Sequence, residues 1–310
     1  MRAVRYHSYG DSSVLVCEDT GRPVAGAGQA AVKVAGTAFN PLDVAIRAGF
    51  AQQVFPVAFP HVPNYDVAGV ITEAGEGVSG WSAGDAVVAF LPVTAPGTAA
   101  GYAAVPAGAL AAAPRAVELA DAAALPSAGL TAWQSLFEHA GLKPGQSILV
   151  NGAGGAVGGY AVQLARQAGA TVTATASARS TGRLRSYGAD RIIDHTATPL
   201  PQAVTGQQFD VVLTLVRTTP EETAQLAALT AGGGAFVSTT FPDLDDAGRG
   251  VRVVPVFARS DAAQLAELVA RVDAGALQID VAQRRPLTDL AAIHDEAAAG
   301  RLAGKTVLIP

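Results

Sequence analysis

Thiols are almost missing from this 310-residue chain, whose only cysteine is Cys17. An intramolecular disulfide is therefore excluded, and so is any zinc site that needs several thiolates. Long apolar runs are missing too: no stretch of about 18 uninterrupted apolar residues occurs, so no membrane-spanning helix is expected. Met1–His7 alternates like an edge strand and does not build a signal-peptide core, which predicts a cytoplasmic protein without a membrane partner. Excess positive charge is also lacking. The 21 basic residues are scattered against 26 acidic ones, and a formal charge of −5 with no basic stripe argues against nucleic acid as a partner. What is present is a hydrophobic content of 50% and 34 glycines, a composition for a globular chain long enough for a large core and two domains.

The two parts of the chain are written differently. The first hundred or so residues are punctuated by Gly and Pro and carry short β-rich runs such as Ala30–Val34 and Val67–Thr72. Gly84-Asp85 reads as a turn into the strand Ala86–Phe90, and the Ala/Gly/Pro-rich stretch Ala95–Ala113 is expected to be irregular. From about Val117, helical patterns alternate with short strands at 148–150, 171–176, 191–194, 209–215, 234–239 and 252–256, the pattern of a doubly wound parallel sheet. After it come helices at about 261–274 and 288–299 and a closing strand at 306–309, which return to the first domain. The expected fold class is α/β: a Rossmann-type domain over 118–256, and a β-rich domain formed by 1–117 with the return 257–310.

The most informative stretch is Ser147–Tyr160, where an apolar strand feeds a glycine-rich turn that opens into a helix. Gly152, Ala153, Gly154, Gly155 and Gly158 let the backbone turn tightly and approach a pyrophosphate. The free N–H groups of the following helix, which begins with Ala156 and Val157, receive its charge. The next strand ends at Ser177-Ala-Arg179, with Arg183 and Arg185 behind it. An NAD-specific site would carry a carboxylate here for the ribose 2′-hydroxyl. A hydroxyl with guanidinium groups suits the 2′-phosphate of NADPH, although these arginines are also what a solvated helix start would show.

Several motifs, in this order and spacing, resemble the zinc-free quinone oxidoreductases of the medium-chain dehydrogenase/reductase family, the group related to zeta-crystallin. They are Asn40-Pro-Leu-Asp43 with Ile46-Arg47, Pro63-Asn-Tyr-Asp-Val-Ala-Gly-Val70, Gly84-Asp85, Leu125-Pro-Ser-Ala-Gly-Leu-Thr-Ala-Trp133 and Lys143-Pro-Gly-Gln146. Tyr187-Gly-Ala-Asp190 with Ile193-Asp194 and Gly300-Arg-Leu-Ala-Gly-Lys-Thr-Val-Leu308 complete the set. The resemblance spans the chain. It implies a GroES-like catalytic domain clasping a Rossmann domain with the active site in the cleft, and a homodimer joined edge to edge through the strand around Arg252–Val256. Zinc-dependent relatives hold their metal with a cysteine near the Asn40 position and a His-Glu pair near Asn64-Tyr65. Those ligands are absent here, and His61 alone is a poor zinc site, so no metal is expected.

The implied activity is NADPH-dependent reduction of a quinone or an α,β-unsaturated carbonyl. By resemblance, Asn40 and Thr131 lie near the nicotinamide and the substrate oxygen, with Tyr65 the nearest proton donor in the first domain. Each has a plainer reading: an Asx turn into Pro41, a helix-interior threonine bonded to its own backbone, and a buried tyrosine. Gly154, Gly155, Ala156 and Val157 carry over as pyrophosphate contacts and Ser177 and Arg179 as 2′-phosphate contacts. Thr239 and Thr240 line the nicotinamide pocket. His195 stands where relatives often have a tyrosine against the cofactor and either adds charge near the adenosine phosphate when protonated or lies at the solvent edge, and Arg217 is either near the cofactor or caps the next helix. Ala45 and Ala51 replace tyrosines found in some bacterial relatives. Two other readings remain open: an enoyl or ketone reductase dedicated to one bacterial biosynthetic pathway, and an NADPH-binding protein without turnover.

Overall fold

The computed structural model describes residues 1–240, 244, 249–302 and 304–310. These divide into two compact units, Met1–Ser127 with Arg259–Pro310, and Ala128–Ala258.

The first unit is built on a seven-stranded sheet. Its path runs Gln283–Pro286, Thr306–Ile309, Gln29–Ala38, Asp66–Ala74, Ala86–Phe90 and Leu110–Ala112, with Tyr102–Pro106 paired beside Gln29–Lys33. The N-terminal strand Arg2–Arg5 pairs with Val16–Asp19 in a separate two-stranded sheet. Tyr102–Pro106 and Leu110–Ala112 overturn the expectation of an irregular Ala95–Ala113. Apart from Tyr102 and Val105 their residues carry little strand preference of their own, and the ladders to Gln29–Lys33 and Val87–Ala89 impose the extended conformation.

Residues 118–127 belong to this unit through specific bonds. Asp121 accepts from Nε and Nη2 of Arg284, one edge of the guanidinium, and the Ser127 backbone N–H donates to Asp66. The C-terminal return contributes helix Ala262–Asp273. Asp261 caps it by accepting from Gln264 N at 3.0 Å, and the helix buries Leu265, Leu268, Val269 and Val272. Thr306–Ile309 then pairs antiparallel with the end of Gln29–Ala38, which sets the preceding Lys305 beside Asn40.

The second unit holds six parallel strands in the order Arg191–Asp194, Thr171–Ala176, Ser147–Asn151, Phe209–Thr214, Thr230–Ser238, Arg252–Pro255. The fourth strand in the chain pairs on the far side of the first, so the winding reverses between Ser147–Asn151 and Phe209–Thr214. In doubly wound sheets such a reversal is where ligands bind, beyond the C-terminal strand ends. Helices Ala156–Gln167, Ala178–Ser186 and Pro220–Ala228 connect these strands. Arg252–Pro255 forms the sheet edge, where the missing N–H of Pro255 costs no ladder bond. Helix Pro126–Trp133 passes from the last residues of the first unit into the second and widens into a π-helical turn over Gln134–His139, marked by the bond from Ala140 N to Ser135 O.

Candidate functional site

In the second unit, the strand Ser147–Asn151 ends in a polar crossbeam. Thr175 Oγ1 donates to Asn151 Oδ1 at 2.8 Å, and Asn151 Nδ2 donates to Thr214 Oγ1 at 3.2 Å, tying three neighbouring strand ends together. Thr175 Oγ1 also accepts from Gly152 N at 2.9 Å, so the crossbeam fixes the first residue of the glycine turn.

Gly152 sits at φ +88°, the left-handed region, and a Cβ there would lie 2.6 Å from Val216 Cγ1. At Gly158 a Cβ would lie 2.4 Å from Ala153 Cα, so this helix can only approach the turn with glycine at that position. Gly155 is the residue before the helix, with φ −83° and no side-chain cap, and the first turn holds no acidic residue. Its leading N–H groups therefore face a site shaped for an anion. Ala153 is buried behind them.

The strand Thr171–Ala176 delivers Ser177 to the start of helix Ala178–Ser186. Ser177 is half-buried and Arg179 exposed, and no carboxylate lies between 177 and 182. Arg183 does not project toward this point alone: its guanidinium donates to the Gly154 carbonyl at 2.7 Å, bracing the glycine turn from the neighbouring helix. His195 is exposed. Thr239 and Thr240 are half-buried just past the strand Thr230–Ser238; Thr239 N donates to Thr214 O, and Thr240 N donates to Ser238 Oγ. Arg217 is exposed and is not the cap of helix Pro220–Ala228. Thr219 caps it, accepting from Glu222 N at 3.2 Å while Glu222 Oε2 accepts from Thr219 N at 2.9 Å. Thr131 is half-buried in helix Pro126–Trp133.

The first unit contains a buried polar cluster that brings together four of the motif stretches. Asp66 is fully buried, and its carboxylate takes Ser127 N at 2.7 Å, Ser127 Oγ at 2.7 Å, Asn40 Nδ2 at 2.9 Å and Lys305 Nζ at 3.2 Å. The oxygen edge of the Asn40 amide faces the other way, accepting from Lys305 Nζ at 2.6 Å. Helix Pro41–Arg47 is seated on the same cluster: Asp43 Oδ2 accepts from Asn40 N at 2.9 Å, and Oδ1 accepts from Asn64 N at 3.2 Å. Asn64 is left-handed at φ 64°, a conformation asparagine tolerates better than most residues. Asp43 is raised to about 7, chiefly by burial and further by the nearby Asp66 carboxylate, against the pull of the Asn40 N–H and of Lys305.

Asn40 is the N-cap of helix Pro41–Arg47, as the turn reading expects, and its amide is engaged beyond that turn. One amide hydrogen is taken by Asp66, and the other reaches only Ala38 O, at 3.4 Å. Tyr65 is buried against Phe90, and its phenol is raised well above the ordinary tyrosine range, by burial first and then by Asp43 and Asp66. A phenol held this way stays protonated and is a weaker acid than free tyrosine, in keeping with the plainer reading of a buried tyrosine. His61 is buried edge-on to Tyr6, and burial lowers it to about 4.

Sequence reasoning passed over Lys305, Asp66, Ser127, Asn151 and Thr175. The first three lie inside motifs already singled out, and the signal available was a charged or polar residue within an otherwise apolar strand or helix boundary. The residues near Asn40 do not suit zinc. The Asp66 carboxylate is filled by four donors, one of them an ammonium that would repel a second cation, and Cys17 lies on another sheet. Among the described residues no group of three or more His, Cys, Asp or Glu side chains is arranged to hold a metal ion.

Two family models match the chain, one described as Alcohol dehydrogenase GroES-like domain over residues 26–115 and one as Zinc-binding dehydrogenase over residues 187–308. A chloroplast envelope quinone oxidoreductase homolog of Arabidopsis thaliana is 32% identical, across 100% of this chain and 98% of that protein. A 2-methylene-furan-3-one reductase of Solanum lycopersicum is 37% identical over 68% of this chain and 56% of its own length. Among solved structures, the quinone oxidoreductase from Coxiella burnetii superposes with a TM-score of 0.90 at 27% identity, covering 100% of this chain and 99% of that one.

Proposed function

The chain belongs to the medium-chain dehydrogenase/reductase family, in its quinone oxidoreductase branch, and we propose that it is an NADPH-dependent reductase of quinones or α,β-unsaturated carbonyls that works without zinc. The observation that carries this reading is the ammonium of Lys305 bonded to Asn40 and Asp66, beside the positions where zinc-dependent relatives keep their metal ligands. A fixed cation and a filled carboxylate there argue against a Lewis acid that would stabilise an alkoxide. Hydride addition to an electron-poor double bond needs less help than alcohol oxidation.

The dinucleotide fits the second unit. The turn Gly152–Gly155 and the start of helix Ala156–Gln167 would hold the pyrophosphate, with Arg183 bracing Gly154 from behind. Ser177 and Arg179 would take the 2′-phosphate, and the absence of a carboxylate at that strand end supports NADPH over NADH. NADPH supplies a hydride when bound and leaves oxidised. The acceptor gains two electrons with that hydrogen at a ring position or at the β-carbon of an enone, and a proton from water completes the reduction. Asn40 would donate its less engaged N–H to the acceptor oxygen as charge builds there, and Thr131 would line the nicotinamide side. Tyr65 holds the shape of the first unit from within. The exposed edge Arg252–Pro255 supports pairing of two copies into a homodimer.

The test is NADPH oxidation against a panel of one ortho-quinone, one para-quinone, one 2-alkenal and one saturated ketone, with NADH in parallel and with and without a zinc chelator. Chelator-resistant turnover of quinone or alkenal with NADPH is expected. Turnover of the saturated ketone alone, or activity lost to the chelator, would overturn the reading.

A further inference from the structure

The C-terminal motif Gly300–Leu308 carries one of the most deeply buried charges among the described residues, its lysine. Lys305 is 4% exposed and its partner Asp66 is 0% exposed. Burying an ammonium is costly, and if charge compensation were all that mattered, an apolar pair of similar volume would serve at least as well. What a cation adds here is direction. The two edges of the Asn40 amide are read by opposite charges: the oxygen meets Lys305 Nζ at 2.6 Å, and Nδ2 meets Asp66 Oδ2 at 2.9 Å. Turning the amide over would set its N–H₂ against an ammonium and its oxygen against a carboxylate, so only one orientation is allowed.

That orientation decides which hydrogen is left. One Nδ2 hydrogen is spent on Asp66, and the second has only the long 3.4 Å contact to Ala38 O. An ammonium on the amide oxygen also draws density from the nitrogen and makes the remaining N–H a stronger donor. Ser127 adds a second lock, since its Oγ lies 2.7 Å from Asp66 Oδ2 and 3.3 Å from Asn40 Oδ1.

We propose that Lys305 is a positioning residue of the reduction: its ammonium fixes and polarises the Asn40 amide so that the second Nδ2 hydrogen is presented to the acceptor oxygen. The proposal rests on the reading of Asn40 as the donor to that oxygen. Lys305 itself transfers no proton and touches no substrate.

The experiment is a double-mutant cycle of Asn40→Ala and Lys305→Met in the full-length protein, reading kcat, KM for NADPH and melting temperature. Lys305→Met is expected to lower kcat by about 100-fold, the scale of losing one donor to a developing oxyanion, with KM for NADPH unchanged. Asn40→Ala should cost about as much, and the double variant no more than either alone. If Asn40→Ala lowers kcat and Lys305→Met does not, the proposal is overturned while the reading of Asn40 stands. If Asn40→Ala leaves kcat intact, that reading falls and the proposal with it. Should Lys305→Met fail to fold, Lys305→Met/Asp66→Asn removes both charges together. Recovered melting with kcat still depressed is the expected result, and recovered melting with wild-type kcat would reduce Lys305 to charge compensation.

Discussion

Three buried titratable groups in the first unit predict an unusual dependence of its stability on pH. His61 and His294 are lowered to about 4 and about 3, both chiefly by burial, while Asp43 is raised to about 7, again chiefly by burial. Below the ordinary histidine value of 6.5, the unfolded chain takes up protons that the two native imidazoles refuse, so stability falls as pH drops from 6.5 toward 4 and 3. Asp43 acts in the opposite sense. Between 3.8 and about 7 the native carboxyl keeps a proton that the unfolded chain releases, so its contribution is present at low pH and lost as pH rises through that window. The shifts correspond to about 3, 5 and 4 kcal/mol for His61, His294 and Asp43 at about 1.4 kcal/mol per pH unit.

Two imidazoles against one carboxyl leave about one proton near pH 5, so stability should rise there by about 1.4 kcal/mol per pH unit, with the slope fading to about zero near pH 7. The exposed carboxylates Asp11, Glu18, Asp194 and Glu221 are held below their ordinary values and act only at lower pH. Asp43→Asn should shift the whole curve by a pH-independent amount, because an amide cannot accept from both Asn40 N and Asn64 N. It should also roughly double the slope near pH 5, to about 2.7 kcal/mol per unit. The assay is urea unfolding in a Trp133→Phe background, where Trp81 becomes the only tryptophan and reports the first unit. A flat acid limb, or an Asp43→Asn curve parallel to its parent, would refute the assignment of these three groups.

Further outcomes follow from the second unit. Gly155→Ala meets nothing closer than Gly152 O at 3.7 Å, so melting should hold while NADPH affinity falls by about 10-fold or more as the methyl enters the phosphate cradle. Gly158→Ala should instead lower stability by about 3 kcal/mol in denaturant titration, since its Cβ meets backbone atoms of Ala153 that cannot rotate away. Arg179→Glu should weaken NADPH by about 10- to 100-fold with NADH unchanged; equal loss of both in fluorescence titration would remove the 2′-phosphate assignment. Thr219→Ala should cost about 1 kcal/mol in thermal melts, whereas Arg217→Ala should cost nothing measurable.

The parallel sheet was legible because each of its strands is a short apolar run set between helical patterns, as at Ser147–Asn151 and Phe209–Thr214. The glycine turn was legible because its conformational demands fall on consecutive residues. The Asn40 cluster was not, although each of its members lies in a motif. Asn40, Asp66, Ser127 and Lys305 meet only when strand Thr306–Ile309 closes against Gln29–Ala38, and no local rule connects residues 265 positions apart. Tyr102–Pro106 failed for the same reason, as its extended form comes from a neighbour some seventy residues earlier.

The first unit is discontinuous, and its keystone cation comes from the segment that follows the second unit. During synthesis the second unit leaves the ribosome before Lys305 does, so Asp43 and Asp66 lack their ammonium neighbour until residue 305 emerges. Vectorial translation thus reverses the order of the sequence: the beginning of the polypeptide matures after its middle. Arrested nascent chains stopped short of Lys305 should show protease resistance over 128–240 and ready cleavage within 1–127, and early protection of the N-terminal segment would contradict this order.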